Sequence, residues 1–186
     1  MANDVRMSLP RIDGLTSLPV LDHPGLLADP VGAALVRWAA SERTAVVEID
    51  PALADTAAMS EAYSVPLGAG ANCLVVAGRR AGEERIAACL VRADTRVDVN
   101  TAVKRLLDVR KASFLPMDRA VEETGMEHGG ITPLGLPSGW RLFVDDRCLA
   151  MDVAVLGSGL RRSKLLMPGD LLADLPGAEV IEGLAA

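Results

Sequence analysis

Aromatic residues, histidine and cysteine are scarce in this sequence, and each scarcity excludes a class of site. Only 3% of the 186 residues are aromatic while half are hydrophobic, so the core has to be built from Ala, Val, Leu and Ile. The two histidines, His23 and His128, lie too far apart to indicate a histidine-rich metal centre. Cys73, Cys89 and Cys148 form no C-x-x-C pair, which argues against zinc and disulfides and indicates a reducing, cytoplasmic setting. We therefore expect neither a metal nor a cofactor.

Long hydrophobic runs and the common catalytic signatures are also missing. No apolar run approaches the roughly 18 residues of a membrane span, so no membrane partner is expected. The sequence has no P-loop, no G-x-G-x-x-G after a strand, no H-E-x-x-H and no nucleophile elbow. The formal charge of −6 and a pI near 4.9 are unlike those of a generic duplex-binding protein. Any contact with nucleic acid must therefore use a local basic patch.

The order of the predicted elements favours one α+β domain with a curved mixed β-sheet and packed helices. Residues 1–27, rich in Pro and Gly, read as an irregular N-terminal arm, and residues 28–186 as the folded domain. The apolar run 72–77 and the returning run 85–91 predict a β-hairpin. Hairpins of this kind interrupt the β-α-β alternation that a doubly wound fold would show.

Several helix ends have recognisable signals. Asp98 precedes apolar residues at helical spacing and predicts a helix over 98–107. Asp118 is expected to cap a further helix, which Gly125 ends in the left-handed conformation. Pro168 is expected at the start of a last helix over 169–175.

The most distinctive segment is residues 125–137, which read Gly-Met-Glu-His-Gly-Gly-Ile-Thr-Pro-Leu-Gly-Leu-Pro. Glycine and proline largely predetermine the backbone shape of such a loop. Bare peptide groups in it can approach a ligand closely because no side chain intervenes. The segment therefore fits the wall of a small-substrate pocket, and it equally fits a long surface turn.

Three features could carry chemistry, each with an ordinary alternative. His128 could act as a general acid or base, or be an exposed loop residue. Ser158, between two glycines after an apolar strand, could face a pocket or belong to a turn. The cluster of Arg161, Arg162 and Lys164 could contact phosphate or form a solvated surface.

The residues Gly129-Gly130-Ile131-Thr132-Pro133 resemble the Gly-x-x-x-Pro loop of YbaK-like proteins, which are trans-editing aminoacyl-tRNA deacylases related to the editing insertion domain of bacterial prolyl-tRNA synthetases. The resemblance extends from about residue 30 to residue 183. Landmarks in the same order support it: the strand 72–77, the hairpin end at 93–94, the strand 111–115, the helix end at 124–125, the strand 143–145, the basic pair at 161–162 and the helix start at 167–168.

The resemblance implies a pocket between the sheet and the helices that accepts the 3′ end of a mischarged tRNA and hydrolyses its aminoacyl ester. It implies aminoacyl-tRNA as a partner, with an aminoacyl-tRNA synthetase as a second. The loop's rigid peptide groups would then stabilise the transition state without a protein nucleophile. The site residues that it implies are the pocket-wall group Gly129, Gly130, Ile131, Thr132 and Pro133, the substrate-binding group Asn72, Ser158 and Gly159, and the tRNA-binding group Arg161, Arg162 and Lys164.

One position departs from the family pattern. Family members have a lysine at the start of the central strand, and this chain has Asn72, which donates hydrogen bonds but carries no charge. A non-catalytic binding protein for a tRNA end or an amino-acid-like ligand is therefore an alternative function on the same fold. Hydrolysis of a small ester or amide unrelated to tRNA is another, in keeping with the negative charge.

Overall fold

Residues 8–186 are described by a computed structural model, in which nine strands form two sheets. The strands are β1 (Leu18–Pro19), β2 (Ala45–Glu48), β3 (Ala71–Arg80), β4 (Glu83–Arg92), β5 (Ala112–Phe114), β6 (Arg141–Asp145), β7 (Ala154–Gly157), β8 (Ser163–Met167) and β9 (Ala178–Ile181). The helices of this part of the chain are short: α1 (Asp29–Arg37), α2 (Thr56–Tyr63), α3 (Lys104–Leu106) and α4 (Met117–Thr124).

The two sheets differ in strand direction. The four-stranded sheet has the order β1-β2-β8-β7 and is antiparallel throughout. The five-stranded sheet has the order β5-β3-β4-β6-β9, with antiparallel pairing up to β4 and parallel pairing from β4 to β9. The predicted α+β class is confirmed. The strands are divided between two sheets linked by a parallel bridge between Gly70 and Val155, where the sequence suggested one curved sheet.

The predicted hairpin is present as β3 and β4, and it is longer than the apolar runs alone indicate. Ala81 and Gly82 connect the strands with φ angles of 51° and 87°. Positive φ at both central residues is the geometry of a tight turn that matches the twist of the two strands. The ten-residue strands therefore stay paired along their whole length, from Ala71 with Arg92 to Arg80 with Glu83.

The main core lies between the two sheets and α1. Leu156 and Leu165 reach it from the four-stranded sheet, Leu90 and Val144 from the five-stranded sheet, and Leu35 from α1. Small cores cover the outer face of each sheet, one beneath α2 and one beneath the segment around α3. The low aromatic content is compatible with this packing because Leu, Val, Ala and Met fill most of the buried positions.

Three helix predictions need correction. The helix expected over 98–107 is a wide turn, Val99–Val103, followed by the single turn α3, because Val103 N–H bonds to Asp98 O five residues back and Asp108 adopts a φ of 52°. Asp98 does cap this segment, accepting from two backbone N–H groups. Asp118 does not cap α4, whose capping residue is Pro116, and the last helix is a 3₁₀ segment, Gly169–Asp174.

The described part of the predicted N-terminal arm contacts the domain. Leu18 and Pro19 pair with β2, and Val20 and Leu27 are buried in the main core. Residues 1–7 of the arm lie outside the described residues. None of the helices in residues 8–186 has the length and hydropathy needed to cross a bilayer, and this part of the chain contains no cluster of three potential metal ligands.

Candidate active site

A cavity of about 210 Å³ opens beside the bridge that joins the two sheets. Its wall combines α2 and the turn after it, the start of β3, the end of β7, one residue of β8 and the loop that follows α4. Most of the lining is apolar, and the polar side chains are few: Asp55, Thr56, Ser60, Asn72, His128 and Lys164. A small ligand could therefore bury an apolar part and still meet hydrogen-bonding groups.

Backbone hydrogen bonds hold the loop after α4 against the turn between β7 and β8. Glu127 N–H donates to Gly159 O and Gly159 N–H donates to Gly130 O, each at 2.8 Å. The two segments approach so closely that a β-carbon on Gly157 would overlap the Gly130 carbonyl oxygen and lie 2.7 Å from the Ile131 carbonyl oxygen. The position of the loop therefore depends on glycine at 157.

The predicted pocket-wall segment faces the cavity only in part. Gly129 and Ile131 line it, and so does His128 immediately before them. Gly129 has a φ of +78°, a conformation that glycine adopts without strain. The other three residues predicted for this wall are buried and do not line the cavity: Gly130, Thr132 and Pro133.

Asn72 lies on the cavity wall at the start of β3, so the structure brings it to the same cavity as the loop. Its side-chain oxygen accepts a hydrogen bond of 3.0 Å from the hydroxyl of Thr56, the first residue of α2. Because this oxygen is engaged, the NH₂ group of Asn72 is the part available to a ligand. The side chain can orient a ligand but cannot neutralise a negative charge.

Lys164 reaches the cavity from β8, unlike the surface position that the sequence suggested. The residue is only 7% exposed, and its Nζ donates to the carbonyl oxygen of Gly129 at 3.2 Å. Burial, with a smaller contribution from the neighbouring Arg161, lowers the pKa of Lys164 to about 8, and Asp55 partly offsets this shift. A cationic group thus lies inside a largely apolar cavity.

The two neighbouring arginines contact backbone carbonyls. The Arg161 guanidinium donates to His128 O at 3.0 Å and to Pro51 O at 3.2 Å, and lies 3.7 Å from the Asp55 carboxylate. The Arg162 side chain donates to Gly25 O and is exposed. Arg161 therefore ties the loop to the segment before α2, and the predicted basic cluster is divided between the surface and the cavity.

Ser158 and Gly159 lie behind the loop and do not line the cavity. Ser158 is fully buried, and its hydroxyl lies 2.7 Å from the Ser163 hydroxyl and 3.1 Å from Ser163 O. It also accepts a hydrogen bond from Leu160 N–H at 3.3 Å. Both residues brace the turn that supports the loop, and a substrate in the cavity would not touch the Ser158 side chain.

Replacing Ser158 with alanine should lower the free energy of unfolding by about 1–2 kcal/mol, because it leaves buried partners without a hydrogen bond. Urea unfolding followed by circular dichroism would measure the change. Ser138→Ala, at an exposed position, is the matched control and should leave stability nearly unchanged. An unchanged midpoint for Ser158→Ala would contradict the bracing role.

Burial also determines the reactivity of the Cys73 thiol, which lies on the cavity wall. Burial raises the pKa of Cys73, and the nearby Cys89 raises it further. The thiolate is the nucleophilic form of cysteine, so a protonated Cys73 is a poor nucleophile at neutral pH. The cavity is therefore better suited to binding a ligand and directing water than to covalent catalysis by this thiol.

Two residues of the cavity wall were not predicted to line it, since Gly157 was not named as a site residue and Lys164 was placed with the tRNA-binding residues. Gly157 controls how closely the loop approaches β7, yet it reads as part of an ordinary Gly-Ser-Gly turn. Lys164 reads as part of a basic surface cluster. The available signal was the local sequence, in which this lysine precedes three consecutive apolar residues that now form part of β8.

Comparison with known proteins gives the family. A sequence model of the aminoacyl-tRNA editing domain matches residues 50–175, which contain most of the cavity wall. No curated protein matches the chain.

Solved structures with the same fold include three proteins that each share 22% identity with this chain. A candidate trans-editing enzyme for prolyl-tRNA synthetase matches with a TM-score of 0.70, covering 83% of this chain and 94% of its own. A hypothetical protein, APE2540, matches with a TM-score of 0.66 (76% and 90%). A scaffold protein from computational epitope grafting matches with a TM-score of 0.69 (86% and 96%). With the family model spanning about two thirds of the sequence, the chain belongs to the aminoacyl-tRNA editing domain family.

Proposed function

We propose that this protein hydrolyses the ester bond of mischarged aminoacyl-tRNA in trans, with the aminoacyl group held in the cavity beside residues 128–131. The observation that carries the proposal is the cavity itself, in which the loop backbone, Asn72 and the start of α2 meet. Its volume of about 210 Å³ is below the roughly 300–1,000 Å³ of sites for drug-sized ligands. It suits an aminoacyl group, with the terminal nucleotide remaining at the mouth.

The polar groups of the wall match the parts of an aminoacyl ester. Its α-ammonium group needs acceptors, and the Asp55 carboxylate, which is largely exposed, is a suitable one at the cavity wall. The Asn72 NH₂ group and the Thr56 hydroxyl can hold the ester or the terminal ribose. The apolar lining receives the amino-acid side chain. Positioning of this kind favours attack by water, because the reacting groups are held in place before reaction.

The tRNA body would lie outside the cavity. Arg162 is exposed and Arg161 half-buried near the loop, and we propose that both approach phosphates of the acceptor end. An aminoacyl-tRNA synthetase is the proposed protein partner, and the cytoplasm the proposed location, since charged tRNA is present there. The structurally similar protein described as a candidate trans-editing enzyme for prolyl-tRNA synthetase is compatible with this function.

The test is incubation of the purified protein with a panel of tRNAs mischarged with labelled amino acids. At least one substrate should be hydrolysed well above the rate in buffer, and correctly charged tRNAs serve as controls. Absence of release from every member of the panel would contradict the proposal.

A non-catalytic binding role is the second candidate, favoured by the uncharged Asn72 at the position where the family has lysine. Binding of aminoacyl-tRNA or its analogues without any turnover would support it. A salt titration adds a check, because loss of affinity with rising salt reports phosphate contacts, and a flat log–log slope would point to a substrate other than tRNA.

A further inference from the structure

We propose that the Lys164 ammonium is a catalytic group of this cavity, which donates a hydrogen bond to the carbonyl oxygen of the bound ester and stabilises the negative charge that develops there. This inference rests on the function proposed above and assigns its chemistry to one side chain. It differs from a phosphate-binding role, which needs an exposed cation.

The position of Lys164 in β8 fixes its side chain at the cavity. Within the four-stranded sheet it pairs with Val47 of β2 and with Gly157 of β7. Both neighbouring strands restrict the backbone, and Gly157 leaves the space beside it free of a side chain. The amine therefore reaches the Gly129 carbonyl oxygen, 3.2 Å away, from a rigid strand and not from a mobile loop.

The charges around Lys164 leave its ammonium group without a close carboxylate. Asp55 before α2, His128 in the loop and the Cys73 thiol of β3 line the same cavity, and Arg161 before β8 is close enough to act on Lys164 electrostatically. Within residues 8–186, no carboxylate oxygen lies within 4.0 Å of its Nζ, and Asp55 is closer to Arg161.

The buried Lys164 ammonium has three N–H donors but only one hydrogen-bond acceptor, the Gly129 carbonyl oxygen. It has therefore lost much of its solvation. Its lowered pKa, about 8, is the expected consequence of this environment. An oxygen that gains negative charge inside the cavity would restore the lost interactions. The stabilisation therefore increases from the ground state to the transition state, which is the condition for catalysis.

The step balances without an added reactant. Water adds to the ester carbonyl carbon, and the carbonyl oxygen becomes an oxyanion that accepts a hydrogen bond from Lys164. When the carbonyl re-forms, the bond to the ribose oxygen breaks and that oxygen receives a proton derived from the water. The products are the free amino acid and the terminal ribose hydroxyl, and Lys164 remains protonated throughout.

Substitution of Lys164 should separate this role from a structural one. The assay uses a mischarged tRNA that the wild-type protein hydrolyses. Relative to wild type, kcat/KM of Lys164→Met should be at least 100-fold lower. Lys111→Met, the same change at an exposed lysine outside the cavity, should retain activity. Full activity in Lys164→Met, with unfolding curves showing a folded protein, would overturn the inference while leaving the deacylase function intact.

The dependence on pH tests which form of the amine acts. A required ammonium predicts that kcat/KM, corrected for spontaneous hydrolysis, decreases as the pH rises through about 8. Lys164→Arg, whose side chain stays charged, should lack this decrease even if its rate is lower. A rate that instead rises through pH 8 would assign the neutral amine as a base and overturn the cationic role.

A binding experiment tests whether the Lys164 ammonium stabilises an oxyanion even if no substrate in the panel is hydrolysed. The chain has three lysines, so ¹³C labelling of their ε-carbons gives a spectrum in which Lys164 is readily assigned by substitution. The probe is an adenosine ester of 1-aminoethylphosphonic acid, which places an anionic oxygen where the oxyanion would form. Its binding should raise the pKa of Lys164 by about one unit or more, since a nearby negative charge favours the ammonium. An unchanged pKa at saturation, or no binding, would overturn the inference.

Discussion

Replacement of Gly157 with alanine is expected to displace the loop from the cavity and to lower the free energy of unfolding by about 3 kcal/mol. The added methyl group would occupy the space of the Gly130 carbonyl oxygen and lie 2.7 Å from the Ile131 carbonyl oxygen. Both obstacles are backbone atoms, which cannot rotate away as a flexible side chain can. Urea unfolding measures the stability, and kcat/KM should fall about 100-fold because a displacement near 1 Å is enough for such a loss.

Gly25→Ala provides the matched control for this change. Gly25 has no atom within 4 Å of an added β-carbon and no positive φ, so its substitution should be nearly neutral. Wild-type stability and activity in Gly157→Ala would show that the loop position tolerates change, and would remove the main support for its role as a rigid wall.

Replacement of Asp145 with asparagine should have an effect of similar size, about 3 kcal/mol, at a residue that does not line the cavity. The carboxylate is fully buried at the end of β6. Arg147 donates to it through the guanidinium at 2.8 Å and 3.1 Å, and Ala185 N–H donates at 2.9 Å. Asparagine keeps the shape but loses the charge and presents an NH₂ group to these donors, so the contact between β6 and residues near 185 is broken.

The stability that Asp145 provides should depend on pH. Burial alone would raise the pKa of this carboxyl, but the hydrogen bonds from the Arg147 side chain and from the Ala185 and Arg147 backbone outweigh it and lower the pKa below its usual value. A group whose pKa is lowered by folding contributes fully above its unfolded pKa, about 3.9. The difference between wild type and Asp145→Asn should therefore shrink as the pH falls below about 4.

Asp146→Asn, at the half-buried neighbouring position, is the control for charge and should change stability by about 0.5 kcal/mol or less. Chemical denaturation between pH 3 and pH 7 measures both variants. A constant difference over this range would mean that asparagine loses packing and hydrogen bonds, and that the ionisation of Asp145 contributes nothing.

The sequence predicts those parts of the fold whose signals are local. Continuous apolar runs identify β3 and β4, and Gly125 ends α4 with a φ of +66° as expected. The segment after Asp98 has the right apolar spacing and packs its buried face as predicted. Its backbone is not a regular helix, because hydrogen bonds five residues apart depend on packing that periodicity does not reveal.

The sequence predicted the location of the candidate site better than it predicted which side chains line the cavity. The Gly-Pro loop could be identified because it resembles the loop of the family, and Asn72 because it stands at the start of the central strand, where the resemblance leads us to expect a lysine. Ser158 and Gly159 were predicted for the cavity, yet the structure places them one layer behind it. A shift of one residue along a turn changes which side chain faces inward, and Gly157 takes the inward position.

Closeness in sequence also did not predict which side chain of the basic cluster reaches the cavity. Arg161, Arg162 and Lys164 are close in sequence, but β8 begins at Ser163 and separates them. Arg162 precedes the strand and is exposed, whereas Lys164 lies within it and is buried. The cation that the resemblance leads us to expect at the start of β3 is absent there, and the Lys164 ammonium enters the cavity from β8 instead.

The pairing of β2 with β8 has a consequence for how the protein folds. Val47 and Lys164 are partners in this sheet although most of the chain separates them. Such long-range contacts form slowly, because the entropy of closing a large loop is lost before the contacts can compensate for it. During synthesis β2 can pair with β1 but lacks its second neighbour until β8 has left the ribosome. The cavity would therefore be complete only after nearly the whole domain has emerged, and a fragment ending before β8 would carry the loop but not the complete cavity wall.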